Sequence, residues 1–135
     1  MGEFKQIKFY NDAISTTPES TIMAIKSLSL ISKIGTIFLG GQDRGFNFIK
    51  LEKLIKKEKI KNIVLFPDSG KKIIKSAVGL NILHTKDMKQ AIKFAYKYTE
   101  KGSICLLSCA SPSYSIWENF EEKGNLFKKF VKQLS

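Results

Sequence analysis

Gly35-Thr36-Ile37-Phe38-Leu39-Gly40-Gly41-Gln42-Asp43-Arg44-Gly45-Phe46-Asn47-Phe48 joins a short apolar run to a glycine-rich loop carrying both charge signs. The run reads as a buried strand and the loop as a binding edge, because ligands of open α/β sheets sit outside the carboxyl ends of the strands. Arg44 is the only arginine among 23 basic residues. Its planar fork of donors suits a carboxylate or a phosphate. A plain surface arginine in a turn is the equal alternative from this loop alone.

The rest of the chain repeats the pattern. Residues 6–10 alternate as a half-buried strand does, ending at Asn11 and Asp12. Thr17, Pro18 and Glu19 then open a helix as N-cap, first helical position and dipole-matched acid, and it is expected to reach Ser32. Ile22, Met23, Ile25, Leu28 and Ile31 are assigned to its apolar face. An amphipathic helix is expected over 48–59, a strand over 62–66, a short helix over 71–77 and an interior strand over 81–84. Thr85 is expected to cap a helix over 86–99, followed by a strand over 103–107 and two helical pieces broken at Gly124. This alternation predicts one α/β domain over 1–135, a Rossmann-like, mostly parallel sheet with helices on both faces. Right-handed crossovers then gather Asp12, Thr16, residues 40–45, Asp68, His84 and residues 108–113 on one rim.

Composition narrows the chemistry. An apolar fraction of 43% over 135 residues fits one globular core. No apolar run approaches the roughly 18 residues of a membrane span, so the expectation is a cytoplasmic protein without membrane contact. Cys105 and Cys109 stand without further Cys or His neighbours in sequence and read as reduced, buried thiols; no metal site is expected. The net charge of +11 comes largely from lysine runs such as 53–61 and 71–75, without interleaved arginine and aromatics. A solvated lysine face is favoured over nucleic-acid binding. No dinucleotide fingerprint or P-loop occurs, and His84 has no second histidine to join in a hydrolase triad. What remains are anion receptors on the rim: Thr16, Arg44, Ser113 and the backbone N–H groups that follow Ser113, two separated sites that suit a small dicarboxylate.

Three blocks then resemble a known family. Residues 9–21, Phe9 to Thr21, are similar to the N-D-S-x-A-T-x-P-E-(A/S)-T block that opens the C-terminal domain of the UDP-N-acetylmuramoyl-L-alanine:D-glutamate ligases, within the Mur ligase family. Leu39 to Phe48 resembles L-G-G-x-D-(K/R)-G-x-(D/N)-F, and Leu106 to Gly124 resembles L-L-S-P-A-x-A-S-x-D-x-F-x-N-F-E-x-R-G. The resemblance covers nearly the whole chain, with the blocks in order.

That resemblance implies a C-terminal, D-glutamate-binding domain of a three-domain enzyme whose N-terminal UDP-binding and central ATP-binding domains are absent here. The implied reaction is peptidoglycan biosynthesis: ATP with Mg²⁺ activates UDP-N-acetylmuramoyl-L-alanine as an acyl phosphate, and D-glutamate attacks it. By the same resemblance Thr16, Arg44, Ser113, Tyr114 and Phe120 would bind D-glutamate, and Asn11 and Asp12 would face the nucleotide. No catalytic residue is expected in this domain alone, the isolated domain is expected to be inactive, and the parent ligase is expected to be a monomer. Ile14 stands where many members have lysine, Cys109 and Pro112 shift the S-P-A-x-A pattern, Ser115 replaces an aspartate, and Lys123 replaces arginine. The alternative is a free-standing Rossmann-like module for a nucleotide or small anion.

Overall fold

The computed structural model describes residues 2–112 and 117–135. Its elements are β1 (Gly2–Phe4), β2 (Ile7–Asn11), α1 (Pro18–Ser29), β3 (Ile34–Gly40), α2 (Ile49–Lys57), β4 (Asn62–Phe66), α3 (Gly70–Ile73), β5 (Asn81–His84), α4 (Met88–Tyr98), β6 (Ile104–Leu107) and α5 (Phe120–Leu134). The six strands form one sheet in the order β1-β2-β6-β3-β4-β5. Every pairing is parallel except β1 with β2, a hairpin absent from the sequence reading. Phe4 pairs with Ile7 across Lys5 and Gln6, both at positive φ, the backbone of the tight turns that match strand twist.

Alternating side chains divide the core into two layers. Phe9, Phe38, Val64, Phe66, Cys105 and Leu107 pack on one face beneath α4 and α5. Ile37, Leu39, Ile63, Leu65, Ile104 and Leu106 pack on the other beneath α1, α2 and α3. The Phe127 ring of α5 meets Phe9 and Phe38 edge-on, with centroids 6.1 and 5.6 Å away. The doubly wound sheet is therefore the one expected, and the lysines of 53–61 and 71–75 lie exposed on the outer surface.

Several local expectations are corrected. Helix α1 ends at Ser29, and Met23 and Ile31 are 70% and 64% exposed. Its inward stripe is Pro18, Thr21 and Ile25, because Thr21 takes an interior place and bonds the Ser108 carbonyl. Helix α3 lasts only four residues before Ile74 turns extended. Strand β5 lies at the sheet edge rather than inside. Asp87 rather than Thr85 caps α4, accepting the Lys89 N–H at 2.9 Å, while Thr85 Oγ1 accepts the Asp87 N–H.

Gly124 does not break α5. A Cβ there would lie 2.9 Å from Asn11 Nδ2 and 3.3 Å from the Ala13 Cβ, so the missing side chain lets the helix press onto the loop after β2. Gly40 is stricter. Its φ is +106°, and a Cβ would fall 2.1 Å from the Phe66 carbonyl oxygen. Gly40→Ala is expected to lower stability by about 3 kcal/mol or more, from combined backbone strain and overlap. Urea unfolding reads it, and a loss below about 1 kcal/mol would show that β3 and β4 can separate at this point.

Candidate functional site

Parallel pairing brings Asn11, Leu107, Gly40, Phe66 and His84 to one end of the sheet. The connection after β6 runs to α5 on one face, whereas those after β2 and β3 run to α1 and α2 on the other. Opposed connections open a crevice at the end of β6, the usual ligand position in such sheets.

Backbone bonds stitch the loops around this crevice. The Asp12 N–H donates to the Leu107 carbonyl at 2.8 Å, Gly40 N–H to Cys109 at 2.8 Å, and Gln42 N–H to Pro112 at 2.6 Å. The Asp68 and Ser69 N–H groups both donate to the Gly41 carbonyl. Ser69 Oγ accepts the Gly41 N–H at 3.1 Å and lies 2.6 Å from Ser111 Oγ. Gly41 is required here, since a Cβ would sit 2.2 Å from the Pro112 carbonyl oxygen.

Asp12 is the best-anchored acid of the rim. Its Oδ2 accepts the Ser15 hydroxyl at 2.5 Å and the Ser108 hydroxyl at 2.7 Å. Ser108 Oγ also lies 2.9 Å from Thr21 Oγ1, which donates to the Ser108 carbonyl. The adjacent Asn11 Oδ1 accepts the Ala13 N–H at 3.1 Å. Asn11, Ile14, Phe120, Glu121, Asn125 and Lys128 line a cleft of about 270 Å³ between this loop and α5. Phe120 is 37% exposed at its mouth, while Trp117 is buried against Phe66 with ring centroids 5.0 Å apart.

Thr16 and Arg44 occupy the same rim, in the loops after β2 and β3. Thr16 is half-buried. Arg44 is exposed and donates Nε to Gln42 Oε1 at 2.9 Å. Neighbouring Asp43 pairs with Lys72 at 2.6 Å, and that bond, with the Gly45 N–H, holds its carboxyl below the usual range. The acid of the loop is thus taken by lysine, leaving the guanidinium without a carboxylate partner among the described residues. Ser113 and Tyr114 lie outside the described residues.

Both cysteines are free and buried, as expected. Burial pushes the Cys109 thiol up, partly offset by the Lys123 amine beside it. Lys123 itself is wholly buried, a feature that sequence reasoning missed. Its position on the inward stripe with Gly124 and Phe127 was the available signal. The structural part of Ser69 and Ser111 was also missed, because a serine beside glycine resembles any turn.

Comparison with known proteins gives one consistent result. No family model matches the chain. It is 34% identical to the UDP-N-acetylmuramoylalanine–D-glutamate ligase of Caldanaerobacter subterraneus subsp. tengcongensis over 99% of its own length and 30% of the relative's. It is 31% identical to the ligase of the same name from Aquifex aeolicus over 98% of its length and 31% of the relative's. The chain thus spans under a third of these curated relatives. Among solved structures, the MurF ligase of Thermotoga maritima in complex with ADP matches with a TM-score of 0.58 and 16% identity, over 98% of this chain and 30% of that one.

The stitching makes a direct prediction. Ser69→Ala should cost about 1–3 kcal/mol, since it strips the buried Gly41 N–H of its acceptor and Ser111 of its partner. Chemical unfolding measures this, and a neutral variant would mean that water replaces the hydroxyl.

Proposed function

From its sequence similarity to the UDP-N-acetylmuramoylalanine–D-glutamate ligases, over under a third of their length, and its likeness in fold to the MurF ligase of Thermotoga maritima, we propose that the chain is the C-terminal, D-glutamate-binding domain of such a ligase. The parent ligase, cytoplasmic and monomeric, would use ATP to join D-glutamate to UDP-N-acetylmuramoyl-L-alanine in peptidoglycan biosynthesis. No helix among the described residues is long and apolar enough to cross a membrane.

The observation that carries the reading is the chemistry of the rim. Thr16 and the terminal nitrogens of Arg44 have no hydrogen-bond partner among the described residues, whereas the polar groups around them are bonded to one another. In this reading Thr16 and Arg44 hold one carboxylate of the amino acid. Ser113, with backbone groups at Tyr114 and Phe120, holds the other. Asn11 and Asp12 face the nucleotide ribose, Asp12 presenting the carboxylate oxygen left free by Ser15 and Ser108.

The reaction requires the glutamate amine to reach an activated carboxyl carbon, the acyl phosphate made with ATP. The chain's own residues would contribute orientation and charge complementarity, fixing both acidic ends so that the amine points one way. No cluster of three His, Cys, Asp or Glu side chains that could hold a metal occurs among the described residues. Mg²⁺ and the triphosphate would be held in the central domain.

In the full-length ligase, Arg44→Ala should reduce kcat/KM for D-glutamate by roughly thirtyfold, the equivalent of about 2 kcal/mol for one charge-assisted contact. Unchanged kinetics would remove Arg44 from the site. The isolated domain should show no ligase turnover, and NMR titration should give weak, D-selective shifts around Thr16 and Arg44. Equal response to L-glutamate, or ligation by the domain alone, would overturn the assignment.

A further inference from the structure

Behind Asp12 stand two wholly buried hydroxyls, Thr21 of α1 and Ser108 just past the end of β6. Asp12 Oδ2 accepts the Ser108 hydroxyl at 2.7 Å and the Ser15 hydroxyl at 2.5 Å, whereas Oδ1 accepts no hydrogen bond from the described residues. A carboxylate turns easily about its last side-chain bond, because that torsion has broad wells rather than sharp staggered ones. Two donors on a single oxygen stop the rotation and leave the other oxygen facing away from them. Ser15 cannot do this alone. It belongs to the same short turn, its N–H donating to the Asp12 carbonyl at 3.0 Å, and it moves with the acid. Ser108 comes from a different strand, and its N–H is tied to the Phe38 carbonyl of β3 at 3.3 Å. Thr21 then grips the same serine at two atoms: Thr21 Oγ1 donates to the Ser108 carbonyl at 3.1 Å and lies 2.9 Å from the Ser108 hydroxyl. A serine so braced has one proton to give, and the carboxylate is the stronger acceptor.

We propose that Ser108, braced by Thr21, is a positioning residue for nucleotide selection: it holds Asp12 so that Oδ1 accepts the ribose hydroxyls and disfavours a nucleotide that lacks them. This rests on the reading of Asp12 as nucleotide-facing. One carboxylate oxygen carries two lone pairs and can accept from both of two adjacent hydroxyls. An acceptor fixed before the ligand arrives needs no reorganisation at that moment. The same fixity gives discrimination, since a desolvated acceptor left without its hydroxyl loses more than an absent contact.

The test compares ATP with 2′,3′-dideoxyadenosine triphosphate, which lacks both ribose hydroxyls, in the full-length ligase. The unaltered enzyme should prefer ATP by about a hundredfold in kcat/KM, roughly tenfold for each charge-assisted contact. Ser108→Ala should raise KM for ATP about tenfold and leave KM for the dideoxy nucleotide and for D-glutamate unchanged, a split that general loss of structure would not produce. Thr21→Val should give the same split at about threefold, and Thr21→Ser should restore the preference. Should Ser108→Ala fail to fold, the two Thr21 variants carry the comparison. In an Asp12→Asn background Ser108→Ala should add nothing further. A preference for ATP undiminished in both Ser108→Ala and Thr21→Val, or a KM that rises equally for the two nucleotides, would overturn the proposal. If Asp12→Asn alone leaves the preference unaltered, the nucleotide-facing reading fails first and the role of Ser108 falls with it. If Asp12→Asn abolishes the preference while the Ser108 and Thr21 variants keep it, the positioning role alone fails.

Discussion

The structure depends on the hydrogen bonds that tie the loops after β2, β6, β3 and β4 to one another at the C-terminal rim. Asp12 N–H to Leu107, Gly40 N–H to Cys109 and Gln42 N–H to Pro112 continue the sheet ladder past the last paired residues. Loops leaving a parallel sheet ordinarily lose their backbone partners to water, and with them their fixed positions. Here the partners are neighbouring loops, so the rim is nearly as defined as the strands beneath it. The geometry tolerates only glycine at 40 and 41, where any Cβ would overlap a carbonyl oxygen. The glycines of Leu39-Gly40-Gly41 thus act through close approach, and the charged residues that follow inherit a fixed origin.

The two core layers carry that rigidity outward. Phe127 of α5 wedges between Phe9 and Phe38, and Gly124, one turn earlier, lets the same helix touch Asn11. Packing of α5 on the sheet therefore sets the height of the helix beside the Asn11–Asp12 corner. Thr21 does the corresponding work on the opposite face, where its hydroxyl reaches the Ser108 carbonyl. Each face of the sheet sends one polar or backbone-close contact to the rim, one to the end of β2 and one to the loop after β6.

Much of this was legible in the sequence. Apolar runs separated by helix-period segments specified the layered sheet, and Thr17-Pro18-Glu19 specified the start of α1, where Thr17 caps the helix together with Ser20. The errors share a cause: periodicity counts apolar residues and cannot see polar ones that go inside. Thr21 displaced Met23 from the expected face, and Lys123 took an interior position that a lysine-rich chain disguised. Gly124 read as a breaker because a glycine required by a neighbour's amide looks the same as one required by a turn. The β1–β2 hairpin was hidden because Lys5 and Gln6 lack the usual turn residues. The resemblance carried the assignment of site roles, since hydroxyls and one arginine on a rim specify an anion receptor and no particular anion.

On the proposed reading the rim is half of a binding site, and electrostatics explains why a half-site would be weak. An exposed guanidinium meeting a carboxylate in water gains little, because both partners give up good hydration for a screened attraction. The same pair becomes strong only when a second surface excludes water and lowers the local dielectric. Arg44 is exposed, and Asp43, which would otherwise compete for it, is neutralised by Lys72. The loop therefore holds its cation uncommitted, and in the proposed enzyme its grip would strengthen only once another wall closed over it. Affinity for a small dianion is then coupled to closure: the ligand holds the two walls together as much as either wall holds the ligand. On the proposed reading such a domain would be a poor receptor alone and a selective one in a complete ligase, because only a ligand that satisfies both the stitched rim and an opposing wall would gain the full benefit of desolvation.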